Sequence, residues 1–364
     1  MNFWNKLKKP FFCIAPMADV TDASFRSMFV KYGKPDVMWT EFVSADGLSN
    51  KEGRKALEID LKFNKKEKPI VAQLFSSNPK KMREASKYVA SLGFDGIDIN
   101  MGCPDKKVEK QGAGASLMKN PKLAGEIIQA VKDGIKDASA EPYSKGRARK
   151  ISISVKTRIG YNKNEINEWI PFLLSQDIDA LTIHARTRKE MSLVPARWEH
   201  IKEVVDIRNK MGLKTKIIGN GDVESLEDGI NKWKKTGCDG IMVGRGIFGK
   251  PWFFAGLDSF RLGYIPKSTN IFLVKNFSAR ASRPAQGFSE HIPSLKERLK
   301  ILVEHTKLFE KMLGKVKSFN IMKKHYKAYV NGWDGAKDLR IKLMNTKNAK
   351  EVEKIVKEYL KKTK

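Results

Sequence analysis

Cysteine is scarce: three residues in 364, at positions 13, 103 and 238, with no CxxC spacing. That excludes a disulfide framework and a zinc site, and it fits a reducing cytoplasm. No apolar run approaches the ~18–20 residues of a membrane span. The first ten residues carry lysines but no apolar core, so no signal peptide is expected. Acidic residues are the short side of the charge balance, 41 Asp and Glu against 70 Lys and Arg, a net charge of +29. No fold needs that excess. It favours a polyanionic partner, nucleic acid, through steering and counterion release, with solvated lysine faces as the plain alternative. There is no internal repeat beyond an alternation of strand and helix patterns.

That alternation sets the fold class. Short apolar strands are expected at Phe11–Ala15, Val37–Thr40 (ending at Glu41), Ile70–Leu74, Gly96–Asn100, Ile151–Lys156, Ala180–Ile183, Lys216–Ile218 and Gly240–Val243. Between them lie helical patterns such as Asp22–Tyr32, Pro79–Leu92 and Pro121 to about Lys136, several opened by proline or a capping residue. Eight such units before residue 255 predict a (β/α)8 TIM barrel. A doubly wound sheet ranks lower, because no GxGxxG follows the first strand. Residues 137–150 and 267–293 are irregular and basic and read as a surface insertion and a linker. From Lys296 an apolar stripe at 3–4 spacing (Leu299, Leu302, Val303, Thr306, Phe309, Leu313) predicts a small all-helical C-terminal domain, with 20 basic against 8 acidic residues. The expected division is a barrel over 1–262, a linker over 263–295 and a basic helical domain over 296–364.

In such a barrel, chemistry sits at the C-terminal ends of the strands. Those ends read Pro16 and Met17, Glu41, Gln73, Asn100 with Cys103, Lys156 with Arg158, His184 with Arg186, Asn220-Gly221-Asp222, and Gly244-Arg245. The glycine turns after strands seven and eight leave backbone N–H groups free for phosphate, although either alone would pass as an ordinary turn. A lysine ending an apolar strand is costly without an anion, unless it snorkels to the rim. Gln73 can donate and accept at once, as an amide-edged ring requires, or can be a satisfied structural glutamine. His184 reads equally as ligand contact or core hydrogen-bonding residue. Cys103 sits in the turn Asn100-Met101-Gly102-Cys103-Pro104 with no neighbouring histidine; it is a candidate nucleophile or proton donor, and a thiol of pKa near ~8.5 needs no help to stay protonated. Cys13 and Cys238 read as small core hydrophobes.

Taken together, several segments resemble the tRNA-dihydrouridine synthases. They are Ala15-Pro16-Met17-Ala18-Asp19-Val20-Thr21-Asp22, Asp98-Ile99-Asn100-Met101-Gly102-Cys103-Pro104, Gly112-Ala113-Gly114-Ala115, Val155-Lys156-Thr157-Arg158, Ile183-His184-Ala185-Arg186-Thr187-Arg188, Gly219-Asn220-Gly221-Asp222 and Gly244-Arg245-Gly246. The tail adds Lys323-Lys324-His325-Tyr326 and Gly335 to Arg340. The resemblance implies an FMN-bound barrel that reduces the C5–C6 double bond of particular uridines in tRNA, with NADPH or NADH as reductant, no metal, and a monomer in the cytoplasm. By matching position it implies that Pro16, Met17 and Ala18 line the flavin; that Gln73, Lys156 and His184 hold its ring; that Asn220, Gly221, Asp222, Gly244 and Arg245 hold ribityl and phosphate; and that Cys103 is the proton donor. Asn100 and Arg158 would meet the base, and Arg186, Arg188, Lys323 and Lys324 the RNA.

One loop departs from the family pattern. After Arg188 many members continue with Gln, an aromatic residue and Gly; here the run is Glu190-Met191-Ser192-Leu193-Val194-Pro195-Ala196-Arg197-Trp198. It lies on the substrate side, so it bears on the target uridine more than on the chemistry. Two rival readings stand beside this one. A flavin barrel acting on a free pyrimidine explains the strand ends but not the basic tail, and a non-catalytic RNA-binding protein explains the charge but leaves Cys103 and Lys156 idle.

Overall fold

The computed structural model describes residues 2–140, 151–261 and 293–362. Eight strands form one parallel sheet: β1 (Phe11–Ile14), β2 (Met38–Ser44), β3 (Ile70–Phe75), β4 (Gly96–Met101), β5 (Ser152–Arg158), β6 (Ala180–His184), β7 (Lys216–Asn220) and β8 (Gly240–Val243). Their order is β1-β8-β7-β6-β5-β4-β3-β2, and a parallel bridge from Cys13 to Val37 joins β1 to the lead-in of β2. The ring therefore closes in sequence order, as a (β/α)8 barrel does. Nearly every strand residue is buried, as expected of parallel strands covered on both faces. A 3-10 turn at Phe3–Lys6 sets Trp4 against Phe11 and Trp39, within a core that includes Cys13, Val37, Val71, Ile218 and Met242.

Along the chain the helices are α1 (Ala23–Tyr32), α2 (Ala45–Leu48), α3 (Lys51–Leu61), α4 (Pro79–Ser91), α5 (Lys106–Lys110), α6 (Pro121–Ala140), α7 (Ile166–Leu174), α8 (Glu199–Lys210), α9 (Leu226–Thr236), α10 (Leu257–Arg261), α11 (Leu295–Leu313), α12 (Asn320–Tyr329), α13 (Ala336–Met344) and α14 (Ala349–Lys362). Helix starts carry side-chain caps. Asn78 accepts from the Lys81 N–H ahead of Pro79, and Ser294 with Glu297 forms a capping box at α11. No described helix is long and apolar enough to cross a membrane.

Three expectations shift. Glu41 does not end its strand, because β2 continues to Ser44 and leaves Glu41 buried in mid-strand, accepting from the Asp19 N–H. Helix α6 runs on to Ala140 instead of stopping near Lys136; Asp137 is held in it by an ion pair with Arg83 of α4. The pair α2 and α3 was not anticipated. The remainder of the expected insertion, 141–150, and nearly all of the expected linker, 262–292, lie outside the described residues.

The described chain divides into two units. One comprises Met1–Asp22, Asp36–Val223 and Gly229–Arg245 and holds the whole sheet; the other comprises Ala23–Pro35, Glu224–Asp228 and Gly246–Lys364. Within the second, α11 to α14 pack on one another around Leu299, Leu302, Phe309, Tyr326, Leu339 and Val352.

Candidate active site

The register of the sheet stacks the polar strand residues in layers. Gln73 pairs with Asp98 and Asp98 with Ser154; one step on, Asn100 pairs with Lys156; beyond that Arg158 pairs with His184 and His184 with Asn220. Residues two apart on a strand share a face, so Asp98 with Asn100, and Ser154 with Lys156 and Arg158, project together.

A continuous run of hydrogen bonds leads from the buried carboxylate to the thiol. Asp98 accepts from the Ser154 hydroxyl and, at 2.6 Å, from Gln73 Nε2. Gln73 Oε1 accepts from Asn100 Nδ2 at 3.0 Å. Asn100 Oδ1 then accepts the backbone N–H groups of Gly102 and Cys103, at 3.2 and 2.9 Å. Because a carboxylate only accepts, it fixes which end of the Gln73 amide faces it, and that choice fixes Asn100 in turn. Burial pushes Asp98 up to about 6, against the pull of Gln73, Ser154 and Lys156. Gly114 closes the turn from the other side. Its φ is +61°, and a Cβ there would stand 2.8 Å from the Cys103 carbonyl oxygen and 3.3 Å from Cys103 Cβ, so only glycine lets this loop lie against the cysteine. Burial raises the Cys103 thiol above its ordinary 9.0 even with Lys156 and Arg158 nearby. At neutral pH Sγ carries its proton.

Lys156 is half-buried, and its side-chain hydrogen-bond partner is neutral: Nζ donates to Asn220 Oδ1 at 3.1 Å. Burial, and then Arg158, bring it down to about 8. Asn220 is fixed in that role because its Nδ2 donates to the Met242 carbonyl at 2.8 Å. His184 is neutral, held well below its ordinary value by burial and then by Arg158, Lys156, Arg186 and Arg245. Arg186 Nη1 stands 3.0 Å from its Nε2; a guanidinium can only donate, so Nδ1 keeps the proton.

One arginine differs from expectation. Arg186 is not a rim residue: it is buried, donates to the Val194 carbonyl at 2.6 Å and to His184, and forms an ion pair with Asp222. The guanidinium is spent on the protein, so it is not placed for phosphate. Arg158 is also buried, and its described bonds go to backbone: Nε to the Gly102 carbonyl, Nη1 to those of Thr187 and Met191, each at 2.9 Å. Arg188 is half-buried, paired with Glu109 and lying over the Tyr161 ring. Asp98, the hub of the hydrogen-bonded run, was not singled out as a site residue. Its signal was present in the alternation Ile97-Asp98-Ile99-Asn100, which sets a carboxylate and an amide on one face of an interior strand.

The last two strand ends form a cradle. Gly221 has φ +127°, and a Cβ on it would come within 2.7 Å of Ala196 Cβ. Asp222, itself at φ +45°, binds Arg186, the Ala196 N–H and Arg245 Nη2, the last two at 2.9 Å each. Burial raises its carboxyl, but these three partners outweigh that and leave it below the usual range. A Cβ on Gly244 would make only ordinary contacts, at 3.8 Å with Ala15 Cβ and 3.9 Å with Met17 Sδ. Met17 is itself fixed, since its N–H donates to Thr21 Oγ1 at 2.9 Å and its carbonyl accepts from Val20 and Thr21. Pro16 is buried and Ala18 exposed. On α12 of the second unit, Lys323 is half-buried and Lys324 exposed.

The class is thus a (β/α)8-barrel enzyme whose strand ends gather a protonated thiol, a half-buried cation and two glycine turns suited to phosphate. Comparison with known proteins makes this specific. The family model for dihydrouridine synthase (Dus) matches residues 13–364, and the chain belongs to that family. It is 36% identical over 360 residues, covering 98% of this chain and 95% of the relative, to "Probable tRNA-dihydrouridine synthase" of Staphylococcus aureus (strain COL). It is likewise 36% identical over 360 residues to "Probable tRNA-dihydrouridine synthase 2" of Bacillus subtilis (strain 168), covering 98% and 96%. Among solved structures, a 2-naphthoyl-CoA reductase complex is similar with a TM-score of 0.50 and 10% identity, covering 72% of this chain and 52% of that one. The chain spans about half the length of that reductase, and the likeness is one of fold. As a dihydrouridine synthase, the protein is an oxidoreductase that reduces uridine to dihydrouridine.

Proposed function

We propose that the barrel reduces the C5–C6 double bond of uridine in tRNA, with Cys103 as the proton donor and FMN held by the strand ends. The observation that carries this reading is the pairing of a protonated thiol with a half-buried Lys156, hydrogen-bonded to an amide, in one barrel mouth. The substrate is tRNA, and the cofactor is a flavin. The residues fit such a cofactor in three respects: the Lys156 ammonium donates to a neutral amide, a side chain at Gly244 would meet nothing closer than 3.8 Å, and Gly221 and Arg245 lie where N–H and guanidinium donors suit phosphate. Lys156, His184 and Gln73 would hold the ring system, Asn220 would keep Lys156 in place, and Gly221, Asp222, Gly244 and Arg245 would hold ribityl and phosphate beside Pro16, Met17 and Ala18. Bound in its reduced form, the flavin supplies a hydride to the base.

The chain's own part is proton placement and orientation. Cys103 Sγ delivers a proton to uracil C5, so that hydride and proton together saturate the double bond. The resulting thiolate recovers its proton from solvent. The Asp98–Gln73–Asn100 run sets the turn from which Sγ acts, and Arg158 holds the Gly102 carbonyl of the same turn. The base must leave its stack to reach the thiol, at a cost of a few kcal/mol. Phosphate contacts from basic groups, Lys323 and Lys324 among them, offset that cost. NADPH is the expected reductant and the cytoplasm the expected compartment.

The test is direct. Purified protein should show flavin absorbance and, with NADPH, should convert uridine to dihydrouridine in tRNA from cells lacking that modification. A colourless protein that cannot take up FMN, or one that reduces free uridine as readily as tRNA, would defeat the reading.

A further inference from the structure

Among the described residues, Leu193 is the most exposed large apolar side chain, at 86%, with Val316 next at 65%. It lies in the segment between β6 and α8 that departs from the family pattern. This segment is firmly held. Arg158 Nη1 donates to the Thr187 and Met191 carbonyls at 2.9 Å, Arg186 Nε to that of Val194 at 2.6 Å, and the Ala196 N–H to Asp222 at 2.9 Å. Glu190 accepts the Thr187 N–H at 2.7 Å and pairs with Arg197 at 2.8 Å. Met191 has φ +54°, a conformation that costs a non-glycine residue about 1–3 kcal/mol and gathers at functional sites.

A single leucine on an open surface is ordinary. A leucine held into water by a strained and multiply anchored loop calls for a reason, and its position supplies one. The Arg158 guanidinium that grips this loop also donates, through Nε at 2.9 Å, to the Gly102 carbonyl beside Cys103. One side chain thus ties the leucine's loop to the thiol's turn. The reaction removes a base from its stack, which leaves a gap between its neighbours. Apolar side chains fill such gaps in nucleic acids. Lys189, exposed, lies four residues before the leucine, while Arg188 and Arg197 are paired with Glu109 and Glu190; an exposed cation beside the leucine suits RNA better than an apolar protein surface.

We propose that Leu193 is a wedge that enters the RNA at the place vacated by the target uridine and favours the extruded base, with Arg158 as the positioning residue that couples wedge and thiol. The proposal rests on the tRNA-reducing reading above. The test uses Leu193→Ala, Leu193→Met and Leu193→Gln in the full flavin-loaded chain, with a tRNA carrying 2-aminopurine beside the uridine that the wild type reduces. Leu193→Ala should lower kcat/KM on tRNA about tenfold, the loss that ~1.4 kcal/mol of apolar burial represents. It should also abolish the fluorescence rise that marks unstacking on binding. Flavin content should not change. Leu193→Met should restore both readouts to within about twofold, and Leu193→Gln should restore neither. Equal brightening with Leu193→Ala and the wild type, or an unchanged kcat/KM, overturns the wedge; so does full function in Leu193→Gln. A wild type that reduces no uridine in tRNA defeats the substrate reading instead, and the two failures are told apart.

Discussion

Two regions bury polar groups, and they do so in opposite ways. In the barrel mouth each polar group directs the next: Asp98 orients Gln73, Gln73 orients Asn100, and Asn100 holds the Cys103 N–H. In the helical unit His305 and His325 lie edge to face with ring centroids 4.7 Å apart. Phe25 stacks on His305 at 4.9 Å, and Tyr329 OH stands 3.4 Å from His305 Nδ1. His305 Nε2 is buried with no hydrogen-bond partner among the described residues. The mouth spends its hydrogen bonds on orientation, whereas His305 sets one ring nitrogen beside Tyr329 OH and commits the other to packing. Burial alone therefore does not mark a site. What marks it is a chain of donors and acceptors ending on an atom that reacts.

Replacing Cys103 with alanine separates the two regions most sharply. Alanine keeps the backbone N–H that Asn100 holds, so the turn, the flavin and tRNA affinity should survive, while turnover falls about 10²–10⁴-fold, the range of a lost general acid. Rapid-quench assays of dihydrouridine check this; near-full activity would remove the thiol from the chemistry. In the wild type the raised pKa of the thiol keeps Sγ protonated at neutral pH. Lys156→Met comes next. A half-buried cation whose hydrogen bond goes to a neutral amide is a burden to the fold and a benefit to an anionic ligand. The variant should bind flavin at least about tenfold more weakly, by roughly the ~1.4 kcal/mol or more of one buried charge contact, while its Tm stays at or above that of the wild type. A lower Tm with flavin affinity intact would make Lys156 structural and erase the contrast.

The fold was legible because apolar strand runs and helix caps are local signals. β8 falls on Gly240–Val243 as expected, and the apolar stripe from Leu299 to Leu313 falls on α11. The short α2 and α3 were not legible, since a mean helical bias over Ala45–Leu61 competes with no clear apolar stripe: Leu61 is the one buried residue of α3. At the site, residue types at strand ends identified Cys103, Lys156 and the glycine turns. They could not identify which charges cancel. Arg186 looked like a rim cation until Asp222, 36 residues later, proved to be its partner. Pairing across strands is a matter of register, and register is not written in any one segment.

Acid should distinguish the regions from the stability side. Burial holds neutral His305 well below its ordinary 6.5. Its contribution to stability is therefore complete above pH 6.5 and is lost as the pH falls below it, because the unfolded chain then takes up a proton that the folded chain refuses. Urea titrations should show a slope approaching ~1.4 kcal/mol per pH unit for each such histidine between pH 6.5 and 5. His184 contributes in the same sense. His305→Phe, which keeps a ring beside Phe25, should flatten the dependence by one histidine's share; an unchanged slope would mean that His305 is protonated in the fold.

The smallest expected effect comes from Asp98→Asn, and its sign is the informative part. Asparagine keeps the shape, its Oδ1 can accept from Gln73 Nε2, and its Nδ2 can donate to Ser154 Oγ, so the run to Cys103 stays oriented and turnover at neutral pH should hold within about threefold, ~0.6 kcal/mol. Stability should rise. Asp98 in the fold titrates near 6 against an ordinary 3.8, so its most favourable state is the protonated one, complete below 3.8 and lost as the pH climbs through 6. At pH 7 the wild type bears the burial of that charge and the amide does not. The variant should melt about 2–4 °C higher at pH 7, as ~1 kcal/mol does in a domain of this size, and the gap should close toward pH 4. A gap of constant size would show that the carboxylate's charge is fully compensated by its partners. A large loss of turnover instead would show that orientation of the Cys103 turn requires the ion itself and not merely an acceptor in its place.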